Sequence, residues 1–70
     1  MVREFIVSGV KDSKCLDAIL ALLVEILNVR ARYFKPRLWS DYHITLEGPD
    51  EDRAFKLFAI FASRVEWKIE

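Results

Sequence analysis

The side chains best suited to chemistry are few and widely spaced: one cysteine, Cys15, one histidine, His43, and one acidic run, Asp50, Glu51 and Asp52. A cysteine near a helix N-terminus can serve as a thiolate nucleophile, because the positive end of the helix lowers its pKa. A Cys–His pair would need the two side chains within hydrogen-bond reach. The hydrophobic periodicity puts Cys15 on a helix and His43 on the sheet face turned away from the helices, so no pair is expected. Cys15 should instead pack with Ile19 and Leu22 as a small apolar residue. A metal centre needs convergent His, Cys or carboxylate ligands, which one histidine and one cysteine on opposite sides of a sheet do not supply. The acids at 50–52 suit the first turn of a helix. Gly9 and Gly48 are too far apart to build a phosphate-cradling loop. The sequence therefore offers no catalytic residues, no metal ligands, no cofactor and no small-molecule substrate.

A different chemistry is open to residues 30–43, where Arg30, Arg32, Lys35 and Arg37 are interleaved with Tyr33, Phe34, Trp39, Tyr42 and His43. Cations mixed with aromatics bind RNA by joining phosphate contacts to base stacking. Strand alternation places Arg30, Arg32 and Phe34 on the open sheet face with His43, Thr45 and Glu47, and Glu66, Lys68 and Glu70 join them from the last strand. Opposite charges on neighbouring strands make a ladder as readily as a binding site. The segment also lacks the aromatic signature of RNA-recognition motifs. The candidate nucleic-acid contacts are Arg30, Arg32, Lys35, Arg37 and Trp39, concentrated at a hairpin tip. Trp39 can equally fold down beside Pro36 and Leu38 to seal the sheet end.

Residues 4–10 are β-branched and aromatic and stop at Gly9 with Lys11 and Asp12 behind it, as a strand would. Asp12 or Ser13 can N-cap a helix over about 14–28. Residues 29–34 then alternate with period two until Pro36 ends them. Residues 41–47 alternate most clearly, Tyr42, Ile44 and Leu46 against His43, Thr45 and Glu47. After Gly48 and Pro49, the acids open a second helix with Ala54, Leu57, Phe58, Phe61 and Val65 as its core stripe. Residues 65–70 read as a closing strand with Val65, Trp67 and Ile69 on one side. This β-α-β-β-α-β order in one domain, 1–70, is the split βαβ, or ferredoxin-like, α+β arrangement: an antiparallel sheet with two helices on one face. Two alternatives extend the first helix to about residue 34, or the second to the C-terminus.

Seventy residues bury only about 60% of the surface that the unfolded chain exposes, so isolated stability is marginal and association a natural remedy. Eleven basic and eleven acidic residues cancel, leaving no global pull toward nucleic acid or an anionic membrane. The apolar stretch 16–29 is shorter than the roughly 20 residues that span a bilayer, and Asp17 and Glu25 interrupt it. With no signal-like start and a single cysteine, the expected location is the cytoplasm. The absence of Gln, a single Asn and 31% charged residues match the composition that thermophiles favour.

The first helix has more apolar surface than its own sheet can cover. Leu16, Ile19, Leu20, Leu23 and Leu27 form one stripe, and Leu22, Val24, Ile26 and Cys15 widen it to an arc of roughly 200°, against about 100° for an ordinary surface helix. On the second helix Phe55 lies with Ala59 and Ala62, small residues that let another helix approach closely. The expected protein interface is Leu22, Val24, Ile26, Phe55, Ala59 and Ala62, serving a homodimer or a protein partner through the helices.

The succession of strand, apolar helix, hairpin and acidic turn into a helix, seen in YHITLEGPDEDRAFKLFAIFASRVEW, resembles the small dimerising subunit of KEOPS, the assembly that makes threonylcarbamoyladenosine in tRNA. The resemblance implies a non-catalytic protein that pairs through its helices within a tRNA-modifying complex, and it assigns no individual residue a role.

Overall fold

The computed structural model describes residues 1–36 and 41–70. The elements are β1 (Val2–Ser8), α1 (Ser13–Ile26), β2 (Arg30–Phe34), β3 (Tyr42–Glu47), α2 (Glu51–Arg64) and β4 (Lys68–Ile69). The strands form an antiparallel sheet in the order β2-β3-β1-β4, so the ferredoxin-like α+β fold expected from the β-α-β-β-α-β pattern is present. Across the sheet Phe5 pairs with Ile44 and Tyr33 with Ile44 on the other side, which aligns their side chains on one face. That row and its neighbours Val7 and Leu46 meet Leu16, Leu20 and Leu23 of α1 and Ala54 and Phe58 of α2 in one apolar core.

Local chemistry sets the helix ends. Asp12 has extended backbone, and its Oδ1 accepts the Lys14 N–H at 2.9 Å, so α1 is N-capped as its sequence suggests. The helix stops at Leu27, whose N–H still donates to the Leu23 carbonyl at 3.0 Å while its own backbone has turned extended; this excludes a helix reaching residue 34. Asp50 makes no side-chain cap on α2. Its Oδ2 accepts the Asn28 N–H at 2.8 Å, and its own N–H donates to the Asn28 carbonyl at 3.3 Å, which ties the end of α1 to the start of α2. The approach is close enough that a Cβ on Gly48 would lie 2.7 Å from the Asn28 oxygen, and Gly48 also holds a φ of 138°.

The C-terminal strand differs from its sequence reading. Val65 belongs to the end of α2 and is exposed, and Glu66 takes a positive φ of 65°. The Trp67 N–H then donates to the Ala62 carbonyl at 2.8 Å, closing the helix in the Schellman manner. Only after this reversal do Trp67 and Ile69 turn inward. Trp67 fills the corner of the core against Phe61, with ring centroids 5.4 Å apart. Strand β4 is correspondingly short.

Candidate protein interface

The six residues expected to form one helical interface lie on three different surfaces. Leu22 and Ile26, one turn apart on α1, are 50% and 56% exposed on the outside of the helical layer. Val24 faces the edge of the sheet, where it lines a groove with Asp17, Leu20, Ala21, Ala31, Arg32 and Tyr33. The α2 residues turn mainly inward. Phe55 meets Phe5 edge-on at 4.9 Å and carries the Arg3 guanidinium 4.6 Å above its ring, Ala59 is half-buried, and Ala62 is only 1% exposed and so out of a partner's reach.

The residues missed are Leu57 and Ile60 on α2, which are 41% and 57% exposed. Leu57 was expected in the core. The buried ridge of α2 is Glu51, Ala54, Phe58 and Ala62, and at 100° per residue Leu57 falls about 100° from its centre while Phe55 and Phe61 flank it at about 60°. Centring the stripe on the spacing Ala54–Phe58–Ala62 would have revealed this. The two helices run antiparallel, since the Asn28–Asp50 clamp joins one pair of ends and Cys15 and Val65 line a shared hollow at the other. Leu22, Ile26, Leu57 and Ile60 are therefore apolar groups on the same layer.

Charges frame this layer unequally. Arg53 precedes Leu57 by one turn, and Lys56 and Arg64 lie one turn either side of Ile60, all three exposed. Lys56 pairs with Asp52 at 3.0 Å, whereas Arg53 and Arg64 make no ion pair among the described residues. The outer side of α2 is an apolar strip with a basic border.

The open sheet face differs. By register, Arg30, Glu47 and Val2 form one row, Arg32, Thr45 and Glu4 the next, and Phe34, His43 and Ile6 the third. Arg30 approaches Glu47 at 3.9 Å, and the exposed Phe34 ring stacks on His43 with centroids 5.0 Å apart. Lys35 is exposed, with its Nζ 5.6 Å from the Tyr42 ring centroid; Arg37 and Trp39, the other tip candidates, lie outside the described residues. On the helix side of β2 the Tyr33 hydroxyl donates to Asp17, and that hydrogen bond holds the phenol above its ordinary pKa. The Arg3 guanidinium is likewise stabilised in its charged form by its hydrogen bond to Glu51 at 2.7 Å.

Cys15, expected to be packed, is exposed. Helical geometry puts it on the Leu22–Ile26 side of α1, away from the buried Leu16–Leu20–Leu23 ridge. Among the described residues no three His, Cys, Asp or Glu side chains gather as a metal site, and no helix is long and apolar enough to cross a membrane. Compared with known proteins, the chain matches no family model, no curated protein and no solved structure.

Proposed function

We propose that this chain is a non-catalytic assembly module that docks a protein partner on the outside of its helical layer. The observation that carries this reading is the set of four large apolar side chains, Leu22, Ile26, Leu57 and Ile60, each 41–57% exposed on two antiparallel helices. Several large apolar side chains exposed on one layer mark a candidate protein interaction site. Arg53 and Arg64, which make no ion pair among the described residues, select the partner's chemistry: an apolar centre edged by carboxylates, whose encounter such charges would accelerate. The likeness in element order to the small KEOPS subunit extends the reading to a cytoplasmic, tRNA-modifying assembly as the host complex.

The test is site-specific photo-crosslinking in the native host from positions 22 and 60, with positions 4 and 68 on the open sheet as controls. One discrete protein adduct from the helical positions, lost on Ile26→Asp, supports the reading. Reconstitution with that purified protein should then weaken as salt rises. Equal adducts from both faces, or none, overturn it. An alternative reading, a small RNA-binding domain, draws on the exposed Phe34 ring stacked on His43 beside Arg32. It ranks second because Glu4 and Glu47 share that face with the two arginines.

A further inference from the structure

The groove beside Val24 belongs to a different surface, the free edge of β2. Ile6 exchanges both backbone hydrogen bonds with Glu70, at 3.4 and 2.8 Å, so the even residues of β1 face β4 and the odd ones face β3. Carrying the alternation through the registers, Ile44 and Leu46 of β3 face β1, Thr45 and Glu47 face β2, and Arg30, Arg32 and Phe34 of β2 face β3. The N–H and C=O groups of Ala31 and Tyr33 therefore point outward from the sheet edge. None has a partner among the described residues. A groove of about 510 Å³ runs along this edge, walled by Leu20, Ala21 and Val24 of α1. An unpaired edge with an apolar wall is a template for strand addition.

We infer that this edge pairs with the same edge of a second copy, β2 against β2 antiparallel about a two-fold axis at Tyr33, making one continuous eight-stranded sheet. The side chains select both the occupant and the register. Hydrogen-bonded pairing can only join outward-facing residues, which permits an axis at any residue of the strand. One at Arg30 sets Arg30 against its own copy, and one at Phe34 puts Ala31 opposite residue 37, beyond the described residues, which leaves Ala31, Arg32 and Tyr33. An axis at Ala31 sets Arg30 against the partner's Arg32 twice, and an axis at Arg32 sets Arg32 against its own copy. Like charges directly opposite one another are destabilising. With the axis at Tyr33, each Arg32 instead lies opposite the partner's Phe34, at a non-hydrogen-bonded site where side chains approach most closely. Guanidinium over an aromatic ring is favourable there. This accounts for two otherwise unexplained features of the open face: Phe34 is 58% exposed, and Arg32 has no ion pair among the described residues. On the helix side, Ala21 is small enough to let the two α1 helices approach, and Val24 would be covered. The contact leaves Leu22, Ile26, Leu57 and Ile60 free, so it stands or falls separately from partner docking on the helical layer.

The experiment is sedimentation equilibrium of the full chain across a dilution series, with amide exchange read in parallel. The wild type should dimerise, and the Ala31 and Tyr33 amides should exchange more slowly as concentration rises. Phe34→Arg sets arginine against Arg32 and should weaken the dimer at least about tenfold. Adding Arg32→Phe to that variant restores an arginine–aromatic pair and should restore the dimer. Ala31→Pro deletes only an outward N–H and should yield a folded monomer, and Ile26→Asp should leave the dimer unchanged. A monomeric wild type at about 1 mM, or a dimer indifferent to both Phe34→Arg and Ala31→Pro, would overturn the inference. If Ala31→Pro fails to fold, the Phe34→Arg and double-variant pair still decides.

Discussion

The two broad surfaces of this molecule, the outside of the helices and the open face of the sheet, are both exposed, yet they manage exposure in opposite ways. The sheet face answers most of its own side chains: Arg30 reaches Glu47, Phe34 stacks on His43, and Thr45 is buried between Arg32 and Glu4. The helical face presents Leu22, Ile26, Leu57 and Ile60, and of the cations bordering the α2 half only Lys56 has an ion-pair partner among the described residues, Asp52. Exposure by itself is therefore a poor guide to function here. What distinguishes a candidate interface is the lack of local answers, and the helices and the β2 edge lack them.

The contrast between covered and uncovered apolar residues on one helix can be broken most severely at Phe58, which is fully buried. Phe58→Ala should cost about 3–5 kcal/mol in chemical denaturation, whereas Ile60→Ala, two residues on, should stay within about 0.5 kcal/mol; equal losses would mean that α2 is rotated from the orientation described. Next in size is the pair of hydrogen bonds that ties the end of α1 to the start of α2. Asp50→Ala hands the exposed Asn28 N–H to water and should cost about 1 kcal/mol, read from the denaturation midpoint. Of opposite sign, Glu66→Gly relieves a positive φ at the end of α2 and should raise stability by about 1 kcal/mol.

The smallest effects belong to the sheet side. Because its hydrogen bond to Asp17 raises the folded pKa of Tyr33 above the ordinary 10.0, the associated stability is fully present below pH 10 and is lost as pH rises through the folded value. Thermal melts should show this alkaline loss in the wild type and not in Tyr33→Phe. On the open face, Arg30→Ala should change stability by less than about 0.5 kcal/mol, since the pair is exposed. If RNA binds at low salt, a titration should show a shallower salt slope for Arg32→Ala; absence of binding would discard the RNA reading and leave the comparison between the two faces sharper.

Much of the architecture could be read residue by residue. The alternation of Tyr42, Ile44 and Leu46 put β3 in register with the core, and Asp12 marked the start of α1 because its cap bond reaches only two residues along the chain. Failures occurred where the deciding partner is distant. Asp50 does stand at the start of α2 with Glu51 and Asp52, but that its carboxylate accepts from Asn28, 22 residues away, was not readable from its neighbours. Residues 65–70 alternate as a strand, but no glycine announces the reversal at Glu66, so its effect on Val65 was invisible. For the interface, Leu22 and Ile26 were legible as surplus on α1. Ala62 was misassigned because its neighbours suggest a small-residue contact, whereas the sheet beneath α2 uses that smallness itself.

The sequence by itself determined the order of elements, the ferredoxin-like fold class, the N-terminal cap region of α1 and the excess of apolar surface on that helix. These follow from periodicity and from hydrogen bonds that span a few residues, and such interactions are the same whatever the rest of the chain does. Only the tertiary structure decided which excess is covered. The rotation of α2 on the sheet exposes Leu57 and hides Ala62, the placement of α1 above β2 turns Val24 toward a free strand edge, and the cross-strand registers set Phe34 against His43 and Arg30 against Glu47. Burial depends on distances between layers, and no local pattern encodes those distances.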